Sequence, residues 1–353
     1  MKQKKTTIII ENGEEVEALA PMILSVSRAT DIPAFYTEWF FRRLEAGYSK
    51  WMNPFNGADY YVSFHNVRFI VFWSKNPAPL IPYIPILKEM GIECYIQYTL
   101  NDYEAEGLEP NVPPINQRIA TFKKLVELLG NNSVVWRFDP MILTDRIGID
   151  ALLRKIEGIA NELRDYTDTL VFSFADISSY RKVKTNLDYS GINYKEWTEE
   201  TMREFASKLS LLNEQKGWNF KLRTCCEKIN LEEFGILHNR CIDDERIVKL
   251  AWHDADLMRH IGWEVKEVGN ILFGEENIHD SALPLPDNNY AMRLYKKSLK
   301  DKGQRQFCGC IPAKDIGQYD TCPHGCLYCY ANTTPSSAHR NYLFHNPASE
   351  TIK

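Results

Sequence analysis

The sequence predicts an α/β protein built as a full or partial (β/α) barrel of the TIM type. Short β-branched and aromatic runs alternate with amphipathic helical patterns, which is typical of βαβ units and a parallel sheet. The chain of 353 residues exceeds the ~250–300 residues at which one core usually stops growing, but α/β barrels reach this size as one domain. It also lacks the G-x-G-x-x-G loop of dinucleotide-binding folds, which favours the barrel.

Strands and helices can be placed in order along the chain. Six segments have the composition of short strands: Ile23–Ser27, Phe69–Trp73, Cys94–Tyr98, Val134–Phe138, Leu170–Phe174 and Phe220–Arg223. After the first, Asp31 suits a helix cap and Pro33 a first helical turn, and this helix is predicted to end before Gly47. Later helices are predicted where four apolar residues share a face, at 119–129, 152–163 and 202–212, and a further helix follows Cys241 and includes Ile247, Leu250 and Leu257.

Composition limits the classes of function and location. The net charge of −5 gives no general cationic field for nucleic acid, although a local basic groove remains open. Only three consecutive apolar residues precede Glu11, and no run approaches the ~20 needed to span a membrane. We therefore expect a cytoplasmic protein with no membrane association. Three regions are predicted: an N-terminal extension at 1–20, a barrel body at 21–270, and a loop with a cysteine segment at 271–353 that completes the barrel.

Three cysteines near the C-terminal end have the spacing C-x3-C-x2-C: Cys322, Cys326 and Cys329, with Tyr328 just before the third. Three thiolates at this spacing can hold a [4Fe–4S] cluster and leave one iron free of protein ligands. A zinc knuckle or a structural cluster is the alternative, but zinc sites usually use four ligands, commonly in C-x2–4-C pairs. The spacing therefore favours the cluster.

This spacing, with Tyr328 in the aromatic position, resembles the signature of the radical S-adenosylmethionine (SAM) superfamily. The resemblance implies that SAM binds the open iron and is split by one electron into methionine and a 5′-deoxyadenosyl radical, which takes a hydrogen atom from a substrate. It also implies a reductant such as flavodoxin or ferredoxin. In that superfamily the motif normally follows the first strand, whereas here six strand candidates precede it. The chain is therefore predicted to be circularly permuted, with the cluster-binding βα unit at its C-terminal end.

Further segments are similar to one family over nearly the whole chain. The pattern formed by residues 27–33, 72–77 and 136–140, the Cys308-Gly309-Cys310 segment and the last cysteine loop looks like the DUF1848 family of uncharacterised bacterial proteins. That family is itself reminiscent of spore photoproduct lyase and related radical SAM proteins. The resemblance strengthens the cofactor prediction and leaves the substrate open.

Polar residues at the C-terminal ends of barrel strands normally converge on the active site. This rule selects Ser27, Arg28, Asp31, Ser74, Lys75, Asn76, Gln97, Thr99, Arg137, Asp139, Ser173, Asp176 and Arg223. Arg28, Arg137 and Asp139 are the candidate catalytic residues. The candidates for SAM binding are Lys75, Asn76, Thr99, Arg137, Asp139 and Tyr328, with Arg137 or Lys75 facing the carboxylate and Asp139 or Asp176 the ribose. Ordinary strand-end ion pairs and turns are the alternative for each.

Four more cysteines are candidates for a second metal centre. Eight of the nine cysteines lie between Cys225 and Cys329, whereas Cys94 lies alone in an apolar strand and is expected to be an ordinary buried residue. Loops at one end of a barrel would bring together Cys225, Cys241, Cys308 and Cys310, and the family resemblance favours Cys225 over Cys226. Four thiolates suit a second [4Fe–4S] cluster or zinc, and plain buried thiols are the third possibility.

These observations favour a radical SAM enzyme of unknown substrate. The alternative, from a different class, is an iron–sulfur or zinc protein without SAM chemistry that acts as a nucleic-acid-associated binding module or a redox sensor.

Overall fold

The computed structural model of the protein describes residues 4–53, 56–267, 282–295 and 299–353. Its strands are β1 (Lys5–Ile9), β2 (Glu15–Leu19), β3 (Ile23–Val26), β4 (Tyr48–Met52), β5 (Asp59–Ser63), β6 (Phe69–Ser74), β7 (Glu93–Thr99), β8 (Val134–Met141), β9 (Leu143–Thr144), β10 (Thr169–Phe174), β11 (Tyr194–Lys195), β12 (Lys221–Thr224), β13 (Leu237–His238), β14 (Trp263–Glu267), β15 (Leu283–Pro284), β16 (Asn289–Arg293) and β17 (Lys314–Asp315).

The α-helices of the described residues are α1 (Ile32–Phe35), α2 (Thr37–Ala46), α3 (Ile84–Glu89), α4 (Ile115–Leu129), α5 (Ile149–Leu163), α6 (Arg181–Tyr189), α7 (Glu199–Gln215), α8 (Asp244–Ala251), α9 (Ala255–Ile261) and α10 (Pro335–Leu343). Short 3-10 helices lie at Ala78–Tyr83 and Glu232–Phe234.

A sheet of eight strands lies at the centre of the described chain, in the order β17-β3-β6-β7-β8-β10-β12-β13. Every neighbouring pair in it is parallel. The six strands predicted from sequence are β3, β6, β7, β8, β10 and β12, so the α/β class and the parallel sheet are confirmed. From β3 to β13 the strand order follows the chain. The exception is β17, which comes last in the sequence yet pairs with β3.

Both faces of this sheet are covered, which explains the continuous apolar runs of its strands. All four residues of β3 are buried. Because successive side chains alternate between faces, one face carries Phe69, Val71 and Tyr95, which share a core with buried residues of α8 and α9. Thr99 is four residues after Tyr95 on β7, so it lies on the same face of the sheet. Arg137 pairs in register with Thr99, so its side chain also lies on the face that packs against α8 and α9.

The helices predicted after the third, fourth and fifth strands are confirmed as α4, α5 and α7, but two others are each divided. The helix expected between Asp31 and Gly47 is broken at Tyr36, whose φ of −131° is not helical, so Asp31 caps only α1. The helix expected after Cys241 ends near residue 252, and α9 restarts because Asp254 accepts a hydrogen bond from the backbone N–H of Leu257.

Smaller sheets surround the central one and were not predicted. Strands β1 and β2, from the proposed N-terminal extension, join β5 and β4 in a four-stranded sheet of order β1-β2-β5-β4. Strands β14, β16 and β15 form an antiparallel sheet, and β9 pairs with β11. Residues 271–281 of the predicted loop lie outside the described residues. Within the described ranges, every helix is too short or too polar to cross a bilayer.

Candidate functional site

The candidate residues meet at the edge where the parallel strands end. Arg28 follows β3, Lys75 follows β6, Cys225 follows β12 and the cysteine loop at 322–329 follows β17. Carboxyl ends of parallel strands share one edge of a sheet, so residues far apart in sequence come together there. The edge holds two groups of cysteines.

The first group is the predicted loop with Cys322, Cys326 and Cys329. Burial raises the pKa of Cys322 to about 12 and also raises the pKa of the other two thiols. The Cys326 thiol interacts electrostatically with both Cys322 and Cys329, so the three lie near one another. Backbone N–H groups of His324 toward Cys322, and of Ala331 and Asn332 toward Cys329, act in the opposite direction and favour the thiolates. Such N–H groups are suited to stabilising metal-bound sulfur.

A buried hydrogen bond fixes this loop to the loop after β3. Nε2 of His324 lies 2.7 Å from Oδ2 of Asp31. The same carboxylate accepts hydrogen bonds from Ser74 Oγ at 2.6 Å and from the backbone N–H of Lys75 at 2.7 Å. Burial alone would raise the pKa of Asp31, but these partners outweigh it and lower the pKa. His324 therefore shapes the cysteine loop from inside the fold.

Tyr328 belongs to a buried polar network beside Cys326. Its hydroxyl donates to Oε1 of Glu109, which also accepts from Lys75 Nζ at 2.8 Å and Asn101 Nδ2 at 3.2 Å. Burial opposes the charge on Glu109, but Lys75 and then Arg118 lower the pKa of its carboxyl overall. The Lys75 ammonium is thus held near the Cys326 thiol, where it favours the thiolate.

The second group contains the four other predicted thiols. Sγ of Cys225 lies 3.5 Å from Sγ of Cys241. The Cys310 thiol interacts with those of Cys241 and Cys308, which links the four sulfurs in a row. The backbone N–H of Ile242 lies 3.3 Å from Sγ of Cys310. The fold therefore brings together side chains from three segments of the chain that are 16 to 85 residues apart.

Two guanidinium groups lie beside the second group, and both are close to the Trp73 ring. The guanidinium carbons of Arg28 and Arg137 are 5.1 and 5.2 Å from the Trp73 ring centroid. Nη1 of Arg137 lies 3.2 Å from Sγ of Cys241, and Nη2 is ion-paired with Asp139. Burial opposes the charge on Arg137, yet Cys241 and Asp139 raise its pKa well above the ordinary value. Burial likewise opposes the charge on Arg28, but Asp315 and then the cysteines of the second group raise its pKa.

Other predicted residues contribute less to this edge. The Asn76 backbone N–H donates to Ser74 Oγ, and in the described part of the chain the Asn76 and Thr99 side chains make no hydrogen bond. Asp176 is exposed and accepts from Ser179 in a local turn. Arg223 lines a separate polar cavity of about 90 Å³. Of the candidate catalytic and SAM-binding residues, the fold places the side chains of Arg28, Lys75, Arg137, Asp139 and Tyr328 at the two cysteine groups.

Residues that the sequence analysis missed complete the site. Asn101 lies two residues beyond the end of β7, so a slightly wider strand-end rule would have included it. Glu109 lies in the long connection between β7 and α4, where no periodic pattern marks it. Asn239, whose Nδ2 lies 3.2 Å from Sγ of Cys241, follows β13, a two-residue strand without a sequence signal.

The donor chemistry of both groups suits thiophilic metals. Across the described ranges, no three Cys, His, Asp or Glu side chains are arranged as a preformed metal site. The fit therefore rests on chemistry: three neighbouring thiols with N–H donors and an ammonium in one group, and four linked thiols with two guanidiniums in the other. A metal would deprotonate these thiols despite the burial that raises their pKa values.

Comparison with known proteins identifies the family. The model of the family described as "Domain of unknown function (DUF1848)" matches residues 23–331. The chain belongs to this family. The DUF1848 description names no reaction, and no curated protein matches this chain. Among solved structures, an aldo/keto reductase from Brucella melitensis matches with 10% identity and a TM-score of 0.22, over 63% of this chain and 72% of that one.

Proposed function

We propose that this DUF1848 protein is a radical SAM enzyme that acts on a substrate still to be identified. Cys322, Cys326 and Cys329 would hold a [4Fe–4S] cluster, with SAM at the iron that has no protein ligand. The observation that carries the proposal is the place of the C-x3-C-x2-C loop, which directly follows a strand of the parallel sheet and is fixed to the next strand's loop by the His324–Asp31 hydrogen bond.

We extend the proposal to the topology. The sheet closes into a full or partial barrel, and β17, the cysteine loop and α10 together form its first βα unit, displaced to the end of the chain. The parallel pairing of β17 with β3 supports this permutation, because a first strand would lie beside the second. With β17 counted as the first strand, the order of strands in the sheet is the order of an unpermuted (β/α) chain.

The surrounding side chains have separable roles in this proposal. The ammonium of Lys75 is ion-paired with Glu109 and places positive charge near Cys326. Asp139 is the carboxylate that remains partly accessible, with a side chain 21% exposed, and it is the candidate to bind the ribose hydroxyls of SAM. Arg28 faces Trp73 at the same edge and is the candidate to bind an anionic group of SAM or substrate. When bound, the cluster and SAM would supply a one-electron cleavage that produces a hydrogen-abstracting radical.

Cys225, Cys241, Cys308 and Cys310 would hold a second metal centre. A [4Fe–4S]²⁺ cluster and a zinc ion each carry a net charge of −2 with four thiolates, so Arg28 and Arg137 would offset either one equally. The net charge of the site therefore does not distinguish an iron–sulfur cluster from zinc, and the two are distinguished by measuring the iron and zinc content of the protein. An external reductant such as a flavodoxin or ferredoxin would supply the electron.

The test is SAM cleavage by anaerobically purified, reduced protein. Wild type should release 5′-deoxyadenosine, and Cys326→Ala should release none, because two thiolates are too few to hold the cluster with one iron open. Cys94→Ala is the matched control, since Cys94 is a buried cysteine in β7 outside both groups. Iron-loaded wild type that leaves SAM intact would overturn the proposal and favour the alternative, an iron–sulfur or zinc protein that serves as a redox sensor or a nucleic-acid-associated module.

A further inference from the structure

A cavity of about 300 Å³ lies between the N-terminal four-stranded sheet and β17. Its lining includes Lys314 from β17, Trp51 from β4, Tyr60 and Tyr61 from β5, and Lys5 from β1. The volume is at the lower end of the range for small-molecule sites, which suits a ligand of one or two rings. The cavity is lined by different residues from either cysteine group.

Lys314 is a buried cation with no counter-ion among the residues that the structure describes. Lys314 is 9% exposed, and its Nζ lies 3.2 Å from the centroid of the Trp51 ring. Among the described residues, no hydrogen-bond acceptor or carboxylate pairs with this ammonium. The adjacent Asp315 lies on the opposite side of the strand, where it accepts from Ser25 Oγ at 2.7 Å and from the Arg28 N–H at 3.0 Å.

The electrostatics of the cavity favour an anion. Burial lowers the pKa of Lys314 to about 8, although Asp315 acts in the opposite direction. A buried ammonium that contacts an aromatic ring but has no anionic partner is still unfavourable, and an incoming carboxylate would reduce that cost. The other lysine of the lining, Lys5, is already paired with Glu17 at 2.5 Å and is largely exposed. Of the two lysines in the described lining, Lys314 is thus the one whose ammonium is available to pair with a ligand.

The walls favour a flat molecule. The Trp51 ring is fixed by a 2.8 Å hydrogen bond from Nε1 to the Gly317 carbonyl, and its centroid lies 6.2 Å from that of Tyr60. Tyr60 itself is 39% exposed, so its ring is accessible from solvent. Aromatic rings pack well against such surfaces and contribute affinity beyond the area they bury.

We propose that this cavity binds a small aromatic carboxylate, with the carboxylate on Nζ of Lys314 and the ring beside Trp51 and Tyr60. The site is independent of the proposed SAM chemistry. The prediction is a strong preference for a charged ligand over a neutral one of the same shape, because the ammonium forms a hydrogen-bonded ion pair only with the carboxylate.

Calorimetric titration with 2-naphthoate and its neutral amide, 2-naphthamide, tests the site. Wild type should bind the carboxylate at least tenfold more tightly than the amide. Lys314→Met should lose this preference, and Lys314→Gln serves as a second neutral variant should the first fold poorly. Lys5→Met is the control and should keep the preference. Tyr60→Leu should weaken both ligands.

Three outcomes would overturn the proposal. These are an absence of naphthoate binding to folded wild type, equal affinity for the carboxylate and the amide, or an unchanged naphthoate affinity in a folded Lys314 variant. The wild-type comparison of the two ligands does not depend on the folding of any variant. None of these measurements depends on iron or SAM.

Discussion

Nη1 of Arg137, on strand β8, lies 3.2 Å from Sγ of Cys241, which is 104 residues later in the chain. The same side chain is ion-paired with Asp139 and lies 3.0 Å from Oε1 of Gln97. Arg137 is buried, so its charge is compensated within the fold. The contact joins β8 to the second cysteine group, so Arg137 would help to hold the proposed second metal centre.

Arg137→Met should therefore reduce the metal bound at the second centre and lower the free energy of unfolding by about 3–5 kcal/mol, since it leaves the carboxylate of Asp139, which is mostly shielded from water, without its cationic partner. The double variant Arg137→Met/Asp139→Asn removes the unpaired carboxylate, so it should regain part of the stability but not the metal. Arg223→Met is the control, because Arg223 lines a different cavity. Metal analysis and anaerobic urea unfolding measure both effects. Full metal content in Arg137→Met would contradict this role.

Asp31 should be required for the first cysteine group. Asp31→Asn replaces a carboxylate that accepts hydrogen bonds from His324, Ser74 and the Lys75 backbone with an amide that can accept on one side only. We expect lower stability, by about 1–3 kcal/mol, and faster loss of iron from the Cys322–Cys329 loop. Iron release to a chelator measures this loss.

Asp59→Asn provides the comparison, since Asp59 forms a partly exposed ion pair with Lys50 and its replacement should change the stability little. If Asp31→Asn releases iron at the wild-type rate, the hydrogen bond to His324 does not secure the loop.

Neighbouring cysteines allow a test of the second centre. Sγ of Cys225 lies 3.5 Å from Sγ of Cys241. The neighbouring Cys226, whose backbone has a positive φ of 59°, is not one of the four sulfurs in the row. Cys225→Ala should lose the second metal, and Cys226→Ala should keep it. With two cubane clusters the wild type would bind about eight irons, and with zinc about four irons and one zinc.

A variant lacking Cys322, Cys326 and Cys329 should retain the second metal and show no spectral change on addition of SAM. Equal metal content in the Cys225→Ala and Cys226→Ala proteins would reduce the four residues to ordinary buried thiols.

The parts of the fold that could be predicted are those with local signals. The six strands have continuous β-branched or aromatic runs because both sheet faces are covered, and α4 ends at Gly130, whose φ is 89°. Strand β17 has two residues and pairs with β3 across almost the whole chain, so nothing in its sequence marks it. The same holds for Glu109, whose role depends on Lys75 and Tyr328 reaching it from distant segments. Spacing and clustering in the sequence marked the candidate cysteines, but partners that tertiary contacts create had no sequence signal.

Lys314 gives a stability prediction with a defined pH dependence. Its pKa is lowered from 10.5 to about 8 in the folded protein because burial disfavours the charged form. Below about pH 8 the amine is charged in both states and the full cost of burying it is present, whereas above 10.5 it is neutral in both and the cost disappears. Lys314→Met should therefore stabilise the protein at pH 7, by about 1–3 kcal/mol, and this gain should shrink as the pH rises from 8 to 10.5.

Anaerobic urea midpoints of wild type and Lys314→Met across this range measure the difference, and groups that titrate equally in both proteins cancel. The nearby charges, Asp315 on the same strand and the Lys5–Glu17 pair at the cavity, are present in both. Lys5→Met should show no such pH-dependent gain, since Lys5 is largely exposed. A gain that stays constant from pH 7 to 10.5 would mean that the Lys314 ammonium is not destabilised by burial, and it would also remove the electrostatic argument for an anion in the cavity.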